Sequence, residues 1–332
     1  MNSKGKEKLI IGNILTKTRQ LLEEKGQDPL ETAKRIMLAE KVECKEMREA
    51  LHYFMTQYWH DLTTPTLLSL ACEAVGGDAD DVKPIAIPLI MISGAMDIHD
   101  DIIDGSKTKD GRVTVTGKFG PNIALITGDF LLGMGFVLLN KACKAISITK
   151  FLRIITCIKN ALAEIADAEA LEISLQKKHI IKPEEYLYVV RKKAADIQGL
   201  MEAGSIIGGG SKEEFKALGK YGRCLGMLSI LRDDLIDLND SKEIRHRISH
   251  ECLPFPLLYR LANISENKII ASLSMRKVRN IKMVQDAAKN SDGFRHCKKV
   301  MKDIADECNL NLRGIKYQKK NLKLLIDFML NT

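Results

Sequence analysis

Two short stretches of this chain carry carboxylates at a spacing that can do chemistry. The first, Gly94 to Asp104, reads GAMDIHDDIID and sets Asp100, Asp101 and Asp104 inside an apolar run. The second, LRDDLIDL, repeats the pattern at Asp233, Asp234 and Asp237. On a helix the outer two members of each triplet lie one turn apart on the same face, with the middle one beside them. Carboxylates this close repel, by roughly a few tenths of a kcal/mol when exposed and by more in a cavity. Something cationic must hold them together.

A single DDxxD on a helix is ordinarily a solvated face. Here the flanking Ile98, Ile102 and Ile103, and Leu228, Ile230, Leu231, Leu235 and Ile236, mark both helices as core elements. Unpaired carboxylates are costly there. The pattern also occurs twice, and each copy has cations near it in sequence: the Lys107–Arg112 segment and Arg232. All-oxygen ligands at this spacing suit Mg²⁺, a hard ion that keeps waters and takes phosphate oxygens. The residues offer no His/Cys set for zinc, and His99 points about 100° away from Asp100 on a helix. The sequence has no GxxxxGK[ST] loop for nucleotide phosphates. Two such sites facing one another would bracket a diphosphate. Metal and cations would stabilise a departing pyrophosphate, over an apolar cavity that shelters the carbocation left behind.

The elements that must position these triplets read as helices. Residues 8–27 form an amphipathic helix stopped at Gly26; Asp28-Pro29 caps another over 29–40, and 44–60 follows. After a break at HDLTTP, the helix TPTLLSLACEAV starts near Pro65 and ends at Gly76-Gly77. Asp80 or Asp81 opens the helix that reaches the first triplet. Gly105 to Gly117 (GSKTKDGRVTVTG) reads as a cation-rich loop carrying Lys107, Lys109 and Arg112. Helices are expected over 121–145, 150–178 and Pro183 to about Ile207. Ser211 with Glu214 forms a capping box ahead of the second triplet, and 256–331 holds further helices.

Composition agrees with an all-α chain. Of 332 residues 45% are hydrophobic, ample for a core, but only 5% are aromatic, and alternating β-branched runs are scarce. With 8 prolines and no linker-like stretch, residues 1–332 read as one helical domain, with an N-terminal helix at 1–29. The net charge of +8 is spread along the chain, without the basic-aromatic cluster that nucleic acid binding asks for. Small anionic substrates fit it. The eight cysteines show no CxxC pairing and read as reduced, buried thiols of a cytoplasmic protein. No apolar run reaches the roughly 20 residues of a membrane span, so any membrane contact is expected to be peripheral.

At this point the residues resemble a known family. HDDIIDGS followed by KFGPNIALITGDFLL, with TLLSLACEAVGGD upstream, is similar to the trans-type isoprenyl diphosphate synthases of the polyprenyl synthetase family. EEYLYVVRKKAADIQGLMEAGSIIGG, LGMLSILRDDLIDL and LPFPLLY follow in the family's order, so the resemblance covers roughly residues 30–265. It implies an isoprenoid-synthase-type bundle of about 12–14 helices, 265–332 lying outside the clearest match. Two antiparallel helices would present the triplets across a deep central cavity, usually in a dimer.

The resemblance also implies an enzyme that uses two or three Mg²⁺ ions. An allylic diphosphate ionises, isopentenyl diphosphate attacks the cation, and the product is a longer trans-polyprenyl diphosphate. Asp100, Asp101, Asp104, Asp233, Asp234 and Asp237 would be the metal ligands. Lys193 would contact the allylic diphosphate, with Lys109 and Arg112 as further substrate-binding cations. Gly94, Ala95 and Met96 would line the cavity below the metals, and their small or flexible side chains imply a C20 or longer product.

The chain departs from the family where isopentenyl diphosphate binds. The family's Gly-Lys-x-x-Arg-Pro stretch falls on HDLTTP, keeping only Pro65. Its histidine becomes Ser93, its Arg-Arg pair Lys109 and Asp110, and its Phe-Gln Ser229 and Ile230. The segment after the second triplet is shorter and lacks the Gly-Lys. Lys107, Arg112, Lys118, Arg245 and Arg247 are candidate replacements. Three readings follow: a prenyl elongase with a relocated second site; a catalytic or regulatory subunit of a heteromeric synthase; or a terpene cyclase-like enzyme that ionises one prenyl diphosphate. The elongase ranks first because the resemblance extends well beyond the metal ligands. The cyclase calls for an aromatic-lined cavity, which the low aromatic content does not favour.

Overall fold

The computed structural model describes residues 3–109, 111–178, 180–262, 281–289 and 292–331. Among them are fifteen α-helices and one two-stranded hairpin, the all-α architecture expected. Two compact units are formed by separate stretches of chain: Thr16–Ile155 with Ala203–Ser211, and Met1–Leu15 with Thr156–Glu202 and Lys212–Thr332.

The unit containing the first triplet begins within α1 (Ser3–Leu38). It continues through α2 (Lys45–Tyr53), a π-helical turn (Phe54–Tyr58), α3 (Thr63–Ala74) and α4 (Lys83–Ile103). A hairpin follows, β1 (Thr108–Lys109) with β2 (Arg112–Val113), then α5 (Val115–Phe119) and α6 (Pro121–Ala142). Helix α7 (Ile148–Leu175) starts here and ends in the other unit. Leu30, Met37, Phe54, Met55, Trp59, Ile90, Met91 and Leu131 form the buried core. Helix α4 packs mainly along α6.

Three local expectations change. The break at Gly26 and Pro29 does not occur, and α1 runs straight through both residues. A proline inside a helix removes one hydrogen bond at a cost of about 3 kcal/mol. Leu30, Ala33 and Met37, all but fully buried on the following turns, offset it. Gly26 is where Leu62 packs against this helix: a Cβ there would lie 2.7 Å from the Leu62 carbonyl oxygen. The cation-rich loop contains a hairpin pairing Thr108 with Val113 and Lys109 with Arg112. Gly111, with φ of +73°, supplies its turn; Asp110 lies outside the described residues. Finally, the helix expected from Pro183 to Ile207 is two, α8 (Pro183–Lys193) and α9 (Ala195–Ile207).

The other unit holds most of α7 and α8, then α10 (Lys212–Asp237), α11 (Ser241–His250) and α12 (Phe255–Ala262). Helices α13 (Ile281–Lys289), α14 (Asp292–Asn311) and α15 (Lys319–Leu330) complete it. The part of the expected C-terminal helices at 263–280 lies outside the described residues. Helix α10 packs on α14 and α15, and the buried Tyr221 hydroxyl donates to the Leu322 carbonyl at 2.9 Å. None of the eight cysteines forms a disulfide, and six are buried.

Against the expectation that no stretch is long and apolar enough to span a membrane, residues 79–103 and α6 both are, by length and composition alone. The first is 61% buried and serves as a core helix; α6 is only 33% buried. Leu125, Ile126, Phe136 and Val137 stand exposed on one α6 face.

Candidate active site

The first triplet closes α4, with Asp104 as its C-terminal cap. Asp101 is buried, and its Oδ2 accepts the Tyr58 hydroxyl at 3.1 Å. Its Oδ1 is also buried, with no hydrogen-bond partner among the described residues. Asp100 is more open. The Lys109 ammonium approaches both, 3.6 Å from Asp100 and 3.8 Å from Asp101. A fourth carboxylate, Asp97, lies one turn earlier and accepts the Trp59 indole N–H at 3.2 Å.

Burial raises the Asp101 carboxyl to about 6, against the opposing pull of Lys109 and the Tyr58 hydroxyl. Burial likewise raises Asp97 to about 7, again opposed by Lys109. Burial works against the Lys109 charge, but Asp100, Asp97 and Asp101 outweigh it and raise its pKa. The pocket therefore carries more negative charge than its one lysine neutralises. With a buried oxygen that accepts no hydrogen bond and is only 3.8 Å from the Lys109 ammonium, and with only hard oxygen donors, it fits a divalent cation.

Arg112 does not point at the triplet. Its Nη1 donates to the Tyr58 carbonyl at 2.6 Å and lies 3.0 Å from His60 Nδ1, which ties the hairpin to the end of the π-helical turn. The Tyr53 hydroxyl donates to the Val113 carbonyl at 2.6 Å, and Lys118 stacks on the Tyr53 ring. Lys107 and Arg245 are exposed. His99 turns toward α6, with Nε2 3.2 Å from Asp129.

The HDLTTP stretch, where the family has cations, is organised around a carboxylate. Asp61 Oδ1 accepts the Thr63 and Thr64 amides at 2.8 and 3.2 Å. Its Oδ2 accepts the Thr64 hydroxyl at 2.6 Å and the Ser93 hydroxyl at 3.2 Å. The three substituted positions thus bind one another.

The second triplet, in the other unit, is tightly held. Asp234 is fully buried; its Oδ1 accepts the Tyr186 hydroxyl at 3.0 Å and Arg247 Nη1 at 2.8 Å, and its Oδ2 the Phe255 amide at 2.9 Å. Arg247 Nη2 meets Asp237 at 2.9 Å, and its Nε lies 3.5 Å from Glu251. Asp233 is the open member, 3.8 Å from Arg232. Burial raises Asp234 to about 6, while Arg247, the Phe255 amide and the Tyr186 hydroxyl oppose it. Lys193 is clasped by Glu169 at 2.9 Å and Glu172 at 2.6 Å. Among the described residues no three Asp, Glu, His or Cys side chains converge into a ready-made metal cluster; Lys109 and Arg247 sit among the acids.

Of the residues expected to line a cavity, Ala95 is fully buried in the core cluster. Gly94 abuts the Trp59 ring, where a Cβ would lie 2.8 Å from the indole. Met96 alone stays partly open. Sequence reasoning passed over Asp97, although its offsets of three and four residues from Asp100 and Asp101 put it on their face. It also missed Tyr58, Trp59, Asp61 and Tyr186. Tyr53, Phe54, Tyr58, Trp59 and Phe119 form a ring cluster beside the first triplet, a local concentration that the low overall aromatic content conceals.

The fold is that of the prenyl synthases. Geranylgeranyl pyrophosphate synthetase from Pyrococcus horikoshii Ot3 superposes with a TM-score of 0.82 over 95% of this chain and 99% of its own, at 23% identity. Residues 45–290 match the polyprenyl synthetase family, and the chain belongs to it. Among its relatives is a short chain isoprenyl diphosphate synthase of Methanothermobacter thermautotrophicus, 33% identical over 54% of each chain. Another is the large subunit 1 of a heterodimeric geranylgeranyl pyrophosphate synthase of Arabidopsis thaliana (chloroplastic), 27% identical over 65% of this chain and 61% of its own. The matched region spans about half the length of the first of these relatives.

Proposed function

We propose that this chain is a Mg²⁺-dependent trans-prenyltransferase that binds and ionises an allylic diphosphate and extends it with isopentenyl diphosphate to C20 or longer. The observation that carries this reading is the first triplet, where a buried Asp101 oxygen accepts no hydrogen bond, meets only the Lys109 ammonium at 3.8 Å, and sits among hard donors under excess negative charge. Asp100, Asp101 and Asp104 would hold the metal, which would supply positive charge for the leaving pyrophosphate. Lys109 exchanges its carboxylate contacts for the diphosphate, and Lys193 supplies the allylic diphosphate cation. Arg112 acts by holding the hairpin that carries Lys109. The family membership and the relatives' names support the reaction class. The exposed apolar face of α6 supports a dimer, with an identical chain or a second synthase subunit, as in the heterodimeric relative.

A second reading is favoured by one observation: Asp61 binds Thr64 and Ser93 where a second diphosphate would need cations. A carboxylate there repels a diphosphate. On this reading the chain ionises a single prenyl diphosphate, and the ring cluster behind the first triplet serves the cation.

Incubating the protein with Mg²⁺ and farnesyl or geranylgeranyl diphosphate, with and without labelled isopentenyl diphosphate, separates the two. Label in a longer diphosphate is expected for elongation. A hydrocarbon or alcohol formed without isopentenyl diphosphate supports the second reading. Elongation only after a second synthase chain is added supports the heteromer.

A further inference from the structure

The resemblance assigns metal ligands to both triplets, but only the first fits that part. The second already holds a cation of its own. Arg247 reaches Asp234 and Asp237 with its two terminal nitrogens, at 2.8 and 2.9 Å, and faces Glu251 with the third. The local chain makes this possible: α10 ends at Asp237, Asp240 caps the next helix by accepting the Lys242 amide at 2.7 Å, and α11 returns Arg247 alongside the triplet.

A metal ion at Asp234 and Asp237 would have to displace this guanidinium. Arginine does not deprotonate in a protein, so it cannot step aside by losing its charge. Leaving would uncover a largely buried charge and break charge-assisted bonds to both acids. Asp234 has further reason not to turn. Its two oxygens also accept the Tyr186 hydroxyl and the Phe255 amide, which join α8, α10 and α12 through one side chain. Arg247 and Asp234 are the keystone of that packing.

We infer that the Arg247 guanidinium takes the place of a protein-held metal ion at Asp234 and Asp237, so that these two carboxylates ligate no metal and of the second triplet only Asp233 stays open to one. Arg247 is a positioning residue, and the neutralising charge at the second triplet is fixed instead of exchanging with solvent ions. This rests on the reading above that the first triplet binds metal.

The test counts Mn²⁺ on the full-length, metal-free protein in the presence of inorganic pyrophosphate, using the electron paramagnetic resonance signal of free Mn²⁺. Asp237→Asn is expected to leave the number of bound ions unchanged and the affinity within about twofold, whereas Asp100→Asn loses an ion or weakens binding at least tenfold. Arg247→Gln is expected to gain one ion, because it releases Asp234 and Asp237. Should that variant not fold, Arg247→Lys, which keeps the charge, is expected to show the wild-type count. Loss of an ion in Asp237→Asn together with loss in Asp100→Asn overturns the inference and leaves the first-triplet reading standing. Unchanged binding in Asp100→Asn overturns that reading, and the inference with it.

Discussion

The Tyr58 hydroxyl donates to one oxygen of Asp101 at 3.1 Å while the other oxygen, equally buried, has no hydrogen-bond partner among the described residues. One half of this carboxylate is fixed by the π-helical turn, and the other faces the Lys109 ammonium at 3.8 Å without a hydrogen bond. Tyr58→Phe keeps the ring and removes the donor. A buried charge losing a hydrogen bond typically costs about 1–3 kcal/mol. Urea unfolding of the metal-free protein should show a loss of that order, and an unchanged midpoint would mean that Asp101 is held some other way.

The raised carboxyls give a pH dependence of definite sign. Asp97 and Asp101 sit at about 7 and about 6, well above an unfolded carboxyl. Between about pH 4 and 7 the folded state therefore binds more protons than the unfolded one, and stability falls as pH rises through this window. Thermal melts without divalent metal should lose stability from pH 5 to 8. Asp97→Asn should flatten that slope and stabilise the protein at pH 8, since an amide can still accept the Trp59 indole N–H.

If the chain elongates as proposed, Met96 and not its neighbours is expected to set product length. Ala95 is enclosed in the core, so Ala95→Phe should overpack it at a cost of about 1–3 kcal/mol. Met96→Phe, at a partly open position, should instead shorten the product with little change in melting temperature. Chromatography of the products beside the two melting curves checks both statements.

How much of this was legible in the sequence depends on distance along the chain. The helices of both triplets follow from local periodicity, and Asp97 was readable by the same rule. The partners of the buried acids were not. Tyr58 comes from 43 residues before Asp101, and Tyr186 from 48 before Asp234. Arg247 lies only 13 residues from Asp234, but it meets that residue through a helix reversal that no spacing rule encodes. Pro29 misled for the opposite reason: a sound local rule is overridden by the burial of Leu30, Ala33 and Met37.

The exposed face of α6 makes a separate claim on solution behaviour. Ile126 and Phe136 are about half exposed on a long apolar helix, the kind of surface that marks an interface. Light scattering should report a dimer for the native chain. Ile126→Lys with Phe136→Lys should give a folded monomer, because neither side chain is needed by the core. A native monomer would remove α6 from the account.

Ionisation of an allylic diphosphate on metal held by the first triplet, as proposed, is read most directly from pyrophosphate release. With geranylgeranyl or farnesyl diphosphate, alone or with isopentenyl diphosphate, release should require Mg²⁺. Asp100→Asn with Asp104→Asn should reduce it by roughly a hundredfold or more at unchanged melting temperature. Release that continues undiminished in that double variant, or no release from either diphosphate by the native protein with Mg²⁺, would contradict the account.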